Sequence, residues 1–137
     1  MPRKTLKGRT IVEGYCKAEA LVATKPISFL GGVDSANGKI IEKNHELYGE
    51  CVKSKVLCFP HGHGSTVGSY VLYSLARKNL APKAIVNQIA DPIVVVGAII
   101  ASIPMIDQID IKQIRTGDLL EVDANNGLVK ILKRKER

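Results

Sequence analysis

The chain has 137 residues, enough for one domain with a single core; 45% are hydrophobic but only 4% aromatic, and there is no tryptophan. The net charge of +7 gathers at the ends, on Arg3, Lys4, Lys7 and Arg9 at the start and on Lys130, Lys133, Arg134, Lys135 and Arg137, less Glu136, at the finish. The body is thus nearly neutral and carries no basic–aromatic interleaving, so no nucleic-acid partner is expected and the basic ends read as solubilising tails.

Three cysteines, Cys16, Cys51 and Cys58, form no C-x-x-C pair, which argues against a disulfide framework or zinc site and for a reducing compartment. The basic opening "MPRKTLKGRT" leads into no secretory apolar run, and the longest apolar run, "IVVVGAIIA", is half a membrane span. The expectation is a cytoplasmic chain with no membrane partner.

In chain order, "TIVEGYCKAEALVAT" predicts two short strands separated near Tyr15 to Lys17. "ISFLGGVDSANGKII" reads as a glycine-punctuated loop with a turn at "ANGK". "KVLCF", Lys55 to Phe59, is a buried strand stopped by Pro60. A helix is expected from about Ser65, with Val67, Val71 and Leu75 on its buried face, Tyr70 and Leu72 widening the stripe, and Arg77 and Lys78 in its last turn.

"KAIVNQ" follows as another buried strand. "ADPIVVVGAIIASIP" is β-branched, yet Asp91 as cap and Pro92 in the first turn predict a helix, packed all round by sheet. "DLLEVDANNGLVKILK" alternates about an Asn-Asn-Gly turn and predicts a hairpin. The order gives a single α/β domain with a mixed sheet.

The chemistry-bearing stretch is "FPHGHGSTVGSY". Gly62 and Gly64 let the backbone approach an anion, and a helix beginning near Ser65 would offer unpaired N–H groups. The residues alone leave three roles open for Ser65: helix cap, phosphate cradle or catalytic group. No lysine precedes the Ser-Thr pair, and the glycine spacing is not the dinucleotide fingerprint. His61 and His63 have no carboxylate beside them and His45 lies far upstream, so no metal site is expected in this chain. Cys58, inside an apolar strand, reads as a core residue. Gly31, Gly32 and Asp34 could line a cleft, though a turn of that composition needs no ligand.

The segments "GGVDSANGKII", "VLCFPHGHGSTVGSYVLYSL", "APKAIVNQIADPIVVVGAIIASIP" and "GDLLEVDANNGLVKI" together resemble the small, swivelling subunit of the aconitase X family. The resemblance runs from about residue 9 to residue 132, implying a basic arm at 1–8, a swivelling β/β/α domain at 9–132 and a basic tail at 133–137. It implies a hydro-lyase of two subunits, inactive as this chain alone, whose large subunit carries an iron–sulfur cluster, expected as [4Fe-4S]. The implied reaction is dehydration of (R)-5-phosphomevalonate to trans-anhydromevalonate 5-phosphate in an archaeal mevalonate route to isoprenoids. Ser65 matches the family's proton-accepting serine. Gly62, His63, Gly64 and Thr66, with Gly32 and Asp34, become the expected contacts to the phosphorylated hydroxy acid. His63 departs from the arginine usual between the two glycines.

Other readings are a dehydratase subunit for another hydroxy acid, a stand-alone anion- or nucleotide-binding module, and an interaction protein working through its basic ends.

Overall fold

The structure, a computed structural model, describes residues 3–136. Eight strands form one mixed sheet: β1 (Lys4–Lys7), β2 (Arg9–Val12), β3 (Tyr15–Val22), β4 (Val56–Phe59), β5 (Ala84–Asn87), β6 (Met105–Asp107), β7 (Leu119–Asp123) and β8 (Leu128–Lys133). Their order is β1-β8-β7-β3-β4-β5-β6-β2, with β3, β4, β5 and β6 parallel neighbours and the other pairs antiparallel. Among the described residues three α-helices, a distorted single turn α1 (Phe29–Gly32), α2 (Gly68–Arg77) and α3 (Pro92–Ala101), and one short 3-10 turn (Ile111–Gln113) complete the domain.

The sheet has apolar layers on both faces. On one, Leu57, Phe59, Ile85 and Met105 pack against Leu72 and Leu75 of α2 and Val94 and Ala98 of α3. On the other, Val56, Cys58, Val86 and Ile106 meet Leu120, Val122, Val129 and Ile131 from the hairpin. Strands β4 and β5 are buried at every position, which is why their sequences are unbroken apolar runs.

β1 and β2 stand at opposite ends of the strand order yet are joined by Gly8 alone, so the sheet curls until its ends lie close. Gly8 donates its N–H to Gly127 O at 2.8 Å, and a Cβ there would collide with the Asp107 carbonyl.

Several expectations are revised. The basic start is not a tail, because Lys4–Lys7 pairs with β8 and tucks Leu6 into the core. At the other end, Lys133 closes β8, Arg134 donates to Asp118 Oδ2 at 2.9 Å, and the Lys135 N–H donates to Asp118 Oδ1 at 3.0 Å. Residues 1, 2 and 137 of those two segments lie outside the described residues. The break between β2 and β3 falls at Glu13 and Gly14, earlier than the spacing suggests.

α2 begins at Gly68, not Ser65, and its buried face is Gly68, Ser69, Leu72 and Leu75. Val67 and Tyr70 point outward. α3 is not enclosed by sheet: it buries Val94, Gly97 and Ala98 and leaves Val96, Ile99 and Ile100 exposed. A helix on the outside of a single sheet can bury only one side.

Candidate functional site

The loop from Pro60 to Val67 leaves the C-terminal end of β4 and enters α2. Pro60 ends the strand, and its carbonyl accepts from the N–H groups of Gln88 and Ile89 at 3.0 and 3.1 Å. The buried Asn87 side chain donates to Phe59 O at 2.9 Å, so β5 and its following loop grip the start of the turn. From the other side Ile27 pairs with Gly62: its N–H donates to His61 O, and its carbonyl accepts from His63 N–H at 3.2 Å.

Two glycines are required sterically. A Cβ on Gly62 would run into Val94 Cγ2 in the first turn of α3. Gly64 has φ +98°, which L side chains rarely adopt, and a Cβ on it would strike Ser28 Oγ. The backbone is therefore pressed against its supports while its outer surface, from His63 to Val67, stays exposed.

Ser65 sits one turn ahead of α2. Its carbonyl accepts from Gly68 N–H at 2.9 Å and its Oγ accepts from Val67 N–H at 3.2 Å, so the hydroxyl does cap, though as a local turn rather than at the first helical residue. Among the described residues, the amides of Gly64, Ser65 and Thr66 donate to no protein acceptor. The first turn of α2 holds no carboxylate. The N-cap of α2 is Val67, which offers no side-chain acceptor, whereas at α3 the N-cap Asp91 accepts from Ile93 N–H at 2.9 Å and Val94 N–H at 3.4 Å. The free donors and the positive end of α2 leave a place around Ser65 Oγ suited to an anion or a developing oxyanion.

A buried carboxylate steadies the neighbourhood. Asp107, 1% exposed, takes two bonds from Arg9 (Nε at 2.9 Å, Nη2 at 2.8 Å) and one from Ala90 N–H at 3.0 Å, which fixes the approach to Asp91. Sequence reading missed this pair, since Arg9 and Asp107 meet only when β2 and β6 come together. It missed Ser28 for the same reason.

Of the expected site residues, His63, Gly64, Ser65 and Thr66 form one continuous exposed stretch, while Gly62 is buried against Val94 just before it. Gly31 and Gly32 belong to α1, beside it: Leu30 N lies 3.6 Å from where a Gly68 Cβ would be. Asp34 is not brought to that surface. Its Oδ1 accepts from Ala36 N–H at 2.8 Å, and its turn packs against the far end of α2, where Lys78 Nζ donates to Ser35 O at 3.0 Å.

The cysteines do not converge. Cys58 is wholly buried and burial pushes its thiol far up; burial likewise lifts Cys16 to about 11; Cys51 lies against Asn37 O in another loop. Among the described residues no cluster of His, Cys, Asp or Glu could hold a metal ion, so these side chains do not fit an iron–sulfur cluster. No described helix is long and apolar enough to cross a membrane.

A family model for the aconitase X swivel domain matches residues 5–131. The chain belongs to the aconitase X swivel family. Within that family it is 53% identical over 129 residues to the phosphomevalonate dehydratase small subunit of Methanocaldococcus jannaschii, covering 94% of this chain and 98% of the relative. It is also 53% identical to the same-named protein of Thermococcus sibiricus over 126 residues, covering 92% of this chain and 97% of that one. The crystal structure of Thermococcus kodakaraensis aconitase X in its holo-form superposes with a TM-score of 0.93 at 48% identity, over 95% of this chain and 99% of that one. The expected swivelling β/β/α architecture is thus the observed one.

Proposed function

We propose that this chain is the small subunit of a two-subunit hydro-lyase that dehydrates (R)-5-phosphomevalonate to trans-anhydromevalonate 5-phosphate, with Ser65 as proton acceptor. The observation that carries the proposal is the exposed Ser65 hydroxyl set among three amides with no protein partner, ahead of a helix whose first turn has no carboxylate. Relatives bearing the dehydratase small-subunit name support the substrate.

In this reading the C–H bond next to the substrate carboxylate breaks, its proton passes to Ser65 Oγ, its electron pair forms the new double bond, and the hydroxyl leaves the adjacent carbon. A serine alkoxide is a poor prospect in open water. Surrounded by aligned N–H donors and shielded from solvent, its negative charge is stabilised. Because Ser65 is exposed in the isolated chain, that shielding falls to a large subunit closing over the loop.

Gly64 and Thr66 supply the backbone surface for the anionic substrate, buried Gly62 and Gly32 support it from behind, and His63 offers a polar side-chain contact. In this proposal a [4Fe-4S] cluster belongs to the large subunit, where it would act as Lewis acid toward the departing hydroxyl; this chain's residues do the proton work. A cytoplasmic setting suits its three free thiols.

The test is reconstitution. The chain alone should be inert toward (R)-5-phosphomevalonate, and mixing with its native large subunit should restore turnover. Ser65→Ala should abolish turnover while leaving assembly intact. Parental turnover by the Ser65→Ala complex would end the proposal.

A further inference from the structure

α2 and α3 pack closely along one side: Gly97 of α3 lies where a Cβ would press on Leu72, and Ser69 Oγ donates to Ile93 O at 2.6 Å. On the outward side they diverge into a groove of about 320 Å³ lined by Thr66, Tyr70, Pro92, Ile93, Val96 and Ile100. Its surroundings are unusually apolar for a surface. Tyr70 is 68% exposed, Ile89 69%, Ile99 57% and Val96 49%. Val67 and Tyr73, one turn to either side of Tyr70, extend the patch along α2. From Thr66 to Ala76 and from Gln88 to Ala101 the sole charged residue is Asp91, already engaged as the α3 cap.

Seven large apolar side chains at such exposures offer on the order of 600 Å² of apolar surface in and around the groove, at the upper end of what a free monomer shows. That is most of the roughly 800 Å² per partner that a standard interface buries. The groove starts at Thr66, next to Ser65. Any partner that shields Ser65 from water must lie over residues 64–67 and so meets the groove without a gap. A second copy of this chain seated there would cover Thr66 and close off the serine.

We infer that the outward α2–α3 groove is the docking surface for the large subunit, which inserts apolar side chains between Tyr70, Val96 and Ile100. The inference rests on the two-subunit reading above, from which it takes the covering of Ser65, but its binding test does not depend on Ser65 being the proton acceptor. It also explains why α3 is written as an all-round apolar helix while only one side of it is buried in this chain.

The experiment measures affinity of the full-length chain for its native large subunit, for the parent, for Val96→Glu, Ile100→Glu and Tyr70→Ala, and for Lys53→Glu as a control on exposed surface elsewhere. These side chains face solvent, so the isolated variants should keep the parental circular dichroism and melting temperature. If a glutamate variant does not, Tyr70→Ala carries the test. Each groove variant is expected to weaken the complex about 30-fold or more, and Val96→Glu with Ile100→Glu more than either alone. Turnover at saturating large subunit should return toward the parental value, and Lys53→Glu should behave as the parent.

Parental affinity in the groove variants overturns the inference. So does a parental chain that dimerises through this face, with variants that turn monomeric yet bind the large subunit unchanged. If the groove variants weaken assembly while the Ser65→Ala complex turns over normally, the docking surface stands and the catalytic proposal falls.

Discussion

Replacing Gly64 by alanine should cost the domain about 3 kcal/mol, and part of that cost should be recoverable at a residue distant in sequence. One contribution is conformational: Gly64 holds φ +98°, and an L side chain there is strained by roughly 1–2 kcal/mol. The second is steric. The new methyl meets Ser28 Oγ, which must turn out of its rotamer and give up its 3.0 Å hydrogen bond to Leu30 O, together about 1–2 kcal/mol. Ser28→Ala removes the colliding oxygen but leaves φ untouched. Ser28 Cβ remains 3.2 Å from the added methyl, so relief is incomplete. The assay is urea denaturation of the parent, both single variants and the double, with midpoints compared at constant slope. The double variant should be more stable than the sum of the singles predicts, by about 1 kcal/mol. Strict additivity would refute the contact, and a Gly64→Ala chain within about 0.5 kcal/mol of the parent would refute the strain as well.

If His63 steadies the anionic substrate through its side chain, His63→Ala should raise KM for (R)-5-phosphomevalonate with little change in kcat, whereas His63→Arg should hold both; a parental KM in the His63→Ala complex would remove that role. Asp107→Ala strands the Ala90 N–H and releases Arg9, so stability should drop by about 3 kcal/mol, with the loop before α3 losing amide protection first; hydrogen exchange would show it. At Glu46, burial pushes the carboxyl up, but hydrogen bonds from the Thr24 hydroxyl and the Lys25 and Thr24 N–H groups outweigh it and hold the group below its ordinary range. Its stabilisation is therefore complete above the unfolded-chain value of about 4.3 and is lost as pH falls through the lower folded value. Since Glu46 is exposed, Glu46→Gln should cost less than about 1 kcal/mol at pH 7, and the gap to the parent should narrow as pH is lowered below the ordinary carboxylate range in a denaturation series.

What could be read in advance were features decided by neighbours in sequence. Pro60 ends β4, Asp91 and Pro92 start α3, and Asn125, Asn126 and Gly127 turn the hairpin, each through chemistry contained within a few residues. The candidate loop was legible for the same reason, since glycines and a Ser-Thr pair between a strand and a helix announce a turn rich in free amides. The start of α2 was not. Ser65, Thr66 and Val67 form a separate turn because Gly68 must fit against Ile93 and Leu30, which come from elsewhere in the chain. Periodicity placed Leu72, Leu75 and Val71 of α2 against the core but misjudged the edges of that side: Ser69 turns inward to reach Ile93 O, and Val67 and Tyr70 turn out. Asp34 reads as a cleft residue from composition, yet its carboxylate is engaged by Ala36 N–H at the opposite end of α2. Long-range pairings such as Arg9 with Asp107 and Ser28 with Gly64 leave no local trace.

The single-residue link between β1 and β2 has a further consequence. Most open sheets offer an outermost strand to which an extended peptide can add by backbone hydrogen bonding. Here the two outermost strands are consecutive stretches of one ribbon hinged at Gly8, so peeling either away to admit a guest drags on the other and on the Gly8 to Gly127 bond. Swapping either outermost strand for a guest is thereby opposed from both ends of the sheet at once.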